Sequence, residues 1–379
     1  MKKQIRMMVA MLVGMCAWTL CAAVTYTYSG AGQAGVWTDP ANWTASDSTT
    51  TGYPGSAATD VAQFPKDAAA VMFDFGGATI SFATLYIGEK DTDGTAVGTA
   101  DITLKNGTMT ISGEAIFGSG TSVRLSEGMV LSAGSTANPN FCGTFVVDNG
   151  CSYTTSGMVY TGFGVDKWGS SVDGMVPVIR IAGTFTVAYI NINTAAQIIL
   201  EGGTYVEKSG NLAKLRTQER DLSNYTGTGV FKKDGVEWTF TAGLTNAPAL
   251  SPDVTYVWTG VTGGTDAIMN LTCGTIELTQ SAVESIFNAG AKRSGFNFPE
   301  GSKAKVVFSN YTPESIEAFF ASQIFSTIGN YVGPHIYVNG KVIESVKQLK
   351  SRLNIELPYK DGKGVAISLR GGGLIIRIQ

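Results

Sequence analysis

Triplets with apolar residues at their first and third positions, each followed by a glycine, recur through the middle of the chain. Ile102-Thr103-Leu104 leads to Gly107, Val123-Arg124-Leu125 to Gly128, Phe145-Val146-Val147 to Gly150, Ile179-Arg180-Ile181 to Gly183, and Ile198-Ile199-Leu200 to Gly203. Residues i and i+2 of an extended strand share a face, so each triplet offers two apolar side chains to a core. The glycines step by 21, 22, 33 and 20 residues. The long step spans Cys151 to Pro177, a polar stretch that reads as an extra loop or rung. Such a period fits a solenoid, in which every turn adds strands to parallel sheets and buries its inward residues against the turns above and below. Glycine at a constant phase fits a corner, because it adopts positive φ without strain. The rival architecture is an antiparallel sandwich, whose turn signals recur every ~8–12 residues. The solenoid predicts that Ile102, Leu104, Val123, Leu125, Val146, Ile179, Ile181, Ile198 and Leu200 point into one core from stacked parallel strands.

The flanks are patterned differently. Tyr26-Thr27-Tyr28 opens as an aromatic strand, Trp37 to Trp43 places two indoles around an Asp39-Pro40 turn, and Tyr53-Pro54-Gly55-Ser56 is a second turn. A solenoid exposes unpaired strand edges at its ends, and residues 24–75 supply large side chains to cover the first one. The last third mixes helix with strand. Ser281 to Glu284 is a capping box, and a second helix is predicted from Thr312 with Pro313 at its first position. Asn339-Gly340 between Ile336-Tyr337-Val338 and Lys341-Val342-Ile343 predicts a hairpin, and Asp361-Gly362 lies between two further strands. The expected fold is mainly β, a parallel solenoid with an aromatic N-terminal cap and a C-terminal α+β lobe.

Composition sets the chain's compartment. A charged start, Met1 to Arg6, precedes an apolar run from Met7 to Leu20 and small residues at Cys21-Ala22-Ala23, the plan of a secretory signal peptide ending at residue 23. The run is shorter than the ~20 residues that span a bilayer, so no transmembrane anchor is expected. Leu20 before Cys21 speaks against a lipoprotein site. Cleavage leaves 24 basic and 30 acidic side chains, net −6, a balance that argues against nucleic acid as a partner. Residues 24–273 hold 12 basic and 22 acidic side chains, and residues 274–379 hold 12 and 8. That break marks the expected boundary between solenoid and lobe. Export also makes a disulfide between the neighbouring Cys142 and Cys151 an expectation, with small buried thiols as the other reading.

The entry segment, Tyr26 through Gly30, Trp37, Asp39, Asn42-Trp43, Pro54-Gly55 and Asp60 to Phe64, resembles that of secreted bacterial proteins with autotransporter-associated β-strand repeats. The Gly-punctuated runs and the closing Gly371-Gly372-Gly373-Leu374 are similar to that class as well. The resemblance implies a right-handed parallel β-helix displayed outside the cell as adhesin-like or structural material. The chain is shorter than the long members and lacks both a Pro-Glu-Pro tail and a terminal barrel aromatic, so release from the cell stands beside surface retention.

Candidate chemistry is sparse. The sequence has one histidine, His335, too few ligands for a zinc site with Cys273. Gly118-Ser119-Gly120 lacks the strained turn of a nucleophile elbow. Asp91 and Asp93 resemble half of a calcium loop without its closing Glu, and Asp166 with Asp173 matches no paired-carboxylate signature. No cofactor is expected. Trp37, Trp43 and Tyr53 could stack on sugar rings, against the structural reading that they fill the cap. The expected function is a surface or released structural and adhesion protein whose partners are glycans or other surface proteins. The alternative is a polysaccharide-processing or polysaccharide-binding protein on a β-helix scaffold.

Overall fold

A computed structural model describes residues 23–88, 98–134, 140–161, 176–192, 196–208, 225–240, 243–246, 252–263, 267–279, 295–309, 335–356 and 364–370. The fold is mainly β and most strand pairs are parallel. Three ladders account for the body. The first contains Val61–Phe64, Thr84–Ile87, Ala115–Phe117, Asn140–Phe141, Met158–Thr161 and Tyr189–Ile192. The second contains Val71–Asp74, Asp101–Lys105, Ser122–Ser126, Thr144–Val147, Val178–Ile181 and the start of Gln197–Lys208. The third contains Thr79–Phe82, Thr108–Ile111, Val130–Ala133, Ser152–Thr155, Thr184–Val187 and the end of Gln197–Lys208. The chain visits the ladders in that order and then returns to the first.

In-register stacking sorts the side chains. In the second ladder Ile102 pairs with Val123, Val123 with Phe145, Phe145 with Ile179, and Ile179 with Ile198, and all five are buried. Leu104, Leu125, Val147, Ile181 and Leu200 form the second inward row. Val146 departs from the sequence-based expectation. It pairs with Arg124 on one side and Arg180 on the other, so it belongs to the outward row, and Phe145 and Val147 take the core positions. The triplet is apolar throughout, and only its neighbours' register settles which residues point inward.

Aromatic rings stack along the inner row of the third ladder. Tyr153, Phe185, Tyr205, Phe231 and Tyr256 occupy matching register positions, with successive ring centroids 4.8, 5.9, 5.0 and 5.5 Å apart. The strand spacing of ~4.8 Å brings each ring within contact of the next. Tyr153 Oη is buried without a hydrogen-bond partner among the described residues.

Beyond Glu207 the third ladder continues through Tyr225–Phe240, Val254–Gly263, Thr275–Leu278 and Lys305–Phe308, so strand pairing crosses residue 273. A separate sheet joins Gly243–Asn246, Ala267–Asn270, Gly295–Phe298 and His335–Val338 in parallel. The expected hairpin follows, Tyr337 opposite Val342 with Asn339 and Gly340 at φ +52° and +72°. The helices expected near 281–290 and 312–324 lie outside the described residues, as do residues 1–22 and Asp361-Gly362. A helix not foreseen, Val346–Arg352, starts where Ser345 Oγ accepts from the Gln348 amide. Antiparallel pairs finish both ends. Thr25–Tyr28 pairs with Trp43–Ala45, and Lys305–Phe308 pairs with Val365–Leu369, which pairs in turn with Leu353–Glu356.

The corner glycines serve two purposes. Gly128 and Gly150 have φ of +79° and +78°, as a corner requires. At Gly203 the cause is contact instead, because a Cβ there would lie 2.5 Å from the carbonyl oxygens of Gly183 and Ile181. Its neighbour Gly202, at φ +87°, has open space around it. Gly203→Ala is therefore expected to destabilise by about 1–3 kcal/mol through overpacking, and Gly202→Asn by less than about 1 kcal/mol, in denaturant titrations. Tyr153→Phe keeps the ring stack and removes the unpartnered hydroxyl. It is expected to raise the unfolding free energy by about 1 kcal/mol, and a loss of that size would show that the hydroxyl has a partner.

Candidate functional site

The aromatic residues singled out in the entry segment form a buried cluster. Trp37 and Trp43 are 2% and 6% exposed. The Trp37 Nε1–H donates to the Pro54 carbonyl at 2.8 Å, and the Trp43 Nε1–H donates to the Trp37 carbonyl at 2.7 Å. Their rings lie 4.8 Å apart, and Trp37 also meets Phe73 at 5.1 Å and Phe82 at 5.8 Å. Rings enclosed in this way offer no face to a pyranose. Tyr53 is half-buried against the same cluster. Trp37 and Trp43 thus belong to a packed cluster and not to an open sugar platform, with Tyr53 partly exposed beside them.

Polar side chains brace the cap from within. Asn42 is fully buried, donating to the Gln33 and Val36 carbonyls at 2.7 and 2.9 Å and accepting from the Gly32 amide at 3.0 Å. Buried Asp60 accepts from the Gly55 and Ala57 amides at 3.1 and 2.8 Å. Asp39 accepts from Gln33 and Ala41, and these amides hold its carboxyl below the usual carboxylate range. Asn42 and Asp60 are structural residues whose type alone carried no such signal.

No disulfide joins Cys142 and Cys151, which corrects the expected bridge. Both are buried. The extended strand Thr144–Val147 runs between them, and from Gly143 to Asp148 an extended chain covers roughly 15 Å. Burial pushes the Cys151 thiol up, away from the reactive thiolate.

Other candidates separate as well. Asp91, Asp93, Asp166 and Asp173 lie outside the described residues, and Ser119 is buried. His335 opens a strand paired with Gly295–Phe298. Among the described residues no group of three or more His, Cys, Asp or Glu could hold a metal ion, and no helix is long and apolar enough to cross a membrane.

The outward faces of the second and third ladders contrast in chemistry. The second carries Asp101, Lys105, Arg124 and Arg180. Along its corner with the third, acids and bases pair from rung to rung: Lys105 Nζ lies 3.3 Å from Asp74 and 3.1 Å from Glu127, Arg124 Nε lies 2.7 Å from Asp148, and Arg180 pairs with Glu201. The third ladder is uncharged from Thr79 to Val206. Ser81, Thr110, Ser132 and Thr154 face one another in one outward row, and Thr186, next in register, is buried. Thr79, Thr108, Val130, Ser152, Thr184 and Thr204 form the second row. Among the described residues none of these hydroxyls is bonded to another protein group. No family model, curated protein or solved structure matches the chain.

Sequence reading passed over this face, although its signal was present. Thr108-Met109-Thr110, Ser152-Tyr153-Thr154 and Thr184-Phe185-Thr186 each follow a repeat glycine. Hydroxyl residues are common in strands, and only parallel register turns scattered triplets into rows. For the cap, Trp37→Ala and Trp43→Ala are each expected to cost about 3–5 kcal/mol, the range for emptying a buried indole site. Thermal unfolding checks this, and parent-like melting of both variants would return the indoles to a binding role.

Proposed function

We propose that the chain is a secreted or surface-displayed structural and adhesion protein without catalytic activity, built as a right-handed parallel β-helix. The observation that carries the reading is the order of the circuits. From Val61 to Glu207 the chain passes through the first, second and third ladders and returns, each strand in parallel register with its counterpart one circuit away. The right hand follows from the strong preference for right-handed crossovers between parallel strands. Residues before Val61 serve as the N-terminal cap, and the parallel third ladder runs past residue 273, through Thr275–Leu278 and Lys305–Phe308, into the C-terminal α+β part. The entry segment that resembles proteins with autotransporter-associated repeats is the buried cap, a role suited to a solenoid's first turn.

Residues 1–23 supply export, and glycans or other surface proteins are the partners. A stiff body with an uncharged face and ion-paired corners suits repeated weak contacts better than enclosure of a small substrate. The test is expression of the full sequence in a bacterial host, followed by fractionation and sequencing of the protein's first residues. The expected product lies outside the cytoplasm and begins at Val24. A cytoplasmic product that retains Met1 would overturn the export reading.

A further inference from the structure

We propose that the outward face of the third ladder, from Thr79 to Val206, binds the surface of a packed neutral polysaccharide. The proposal deepens the adhesion reading by naming its site and its ligand class. Successive hydroxyls stand one strand apart, ~4.8 Å, so the face repeats its hydrogen-bonding groups at a constant step, as a polysaccharide repeats its own. Within a strand the two outward residues are about 6.6 Å apart, so the face is a two-dimensional array. Apart from Val130 and Val206 its outward positions are Ser or Thr, of which Thr186 is buried.

Charge, shape and bonding each narrow the ligand. A face without ionisable groups, beside a corner whose acids and bases are already paired, favours an uncharged partner. One neutral hydroxyl contact exchanges for water with little net gain, so a single soluble sugar would be held poorly. A periodic surface engages many rungs at once, and the second and later contacts form at high effective concentration. A flat ladder also has no walls to enclose one chain. A second copy of the protein fits less well, because six strands of four residues present roughly 400 Å² per partner, about half of what a stable complex uses. Ice shares the hydroxyl chemistry, but Val130 and Val206 interrupt the array and Ser81, Ser132 and Ser152 lie among the threonines, which gives its methyl surface an uneven height.

The experiment is depletion of the exported chain from solution by insoluble cellulose, chitin and a β-1,3-glucan. The variants are Thr110→Lys with Thr154→Lys on the face, and Thr103→Lys on the second ladder as control. Circular dichroism and thermal melting establish that each remains folded. The parent is expected to bind at least one of the three solids. The double variant should lose about tenfold in affinity, the control should bind like the parent, and raising salt from about 0.1 to about 1 M should have little effect. A folded parent that stays in solution with all three solids would overturn the proposal while leaving export and fold intact. So would a folded double variant that binds like the parent, binding abolished by salt, or incorporation of the parent into growing ice without binding to the solids.

Discussion

Parallel backbone pairing in register is the constraint on which the rest of the structure depends. It makes each side chain the neighbour of its equivalents on the paired strands, so a choice in one strand becomes an environment for the next. Five aromatic rings line up because Tyr153, Phe185, Tyr205, Phe231 and Tyr256 share one register position. The same rule gathers hydroxyls into rows and sets Val146 between two arginines. Strands buried on one face and wet on the other then read as alternating triplets, although fully covered parallel sheets would read as continuous apolar runs.

Stacking of this kind creates a problem at each end, and antiparallel pairing with bulky cover answers it. At the start, Trp37 and Trp43 fill the space below the first rungs, and Asn42 and Asp60 satisfy the backbone of the loops that hold them. The Asp74 amide donates to the Gly35 carbonyl, so the cap loop also meets the edge of the second ladder. At the other end the strand pair Leu353–Glu356 and Val365–Leu369 lies against Lys305–Phe308 with antiparallel sense. Open edges invite pairing with other chains, and the outermost strands here are short antiparallel additions, one of the ways an edge is blunted.

The cost of placing polar groups inside such a body is visible in the third ladder. Glu207 is buried and accepts from Tyr205 Oη at 3.1 Å, whereas Tyr153 Oη has no partner among the described residues. Burial raises the Tyr153 phenol well above its ordinary value, so it stays neutral. A partnered carboxylate and an unpartnered phenol in one inward region show that stacking selects ring shape before it satisfies every polar atom.

Much of this fold was legible in the sequence because alternation and glycine spacing are local. The triplets at 102–104, 123–125 and 179–181 indicated their own strands and inward residues, and Asn339-Gly340 indicated its hairpin. The triplet at 145–147 could not, since three apolar residues leave the phase to the neighbours. The bridge between Cys142 and Cys151 failed for a related reason. Their separation in sequence is short, but a strand between them holds them apart. Likewise the sequence marked Trp37 and Trp43 as important without saying whether they face ligand or core. What the sequence by itself determined was the strand material, its period and the aromatic entry segment. Tertiary structure alone decided which residues share a row, because register is a relation between distant segments and no local pattern contains it.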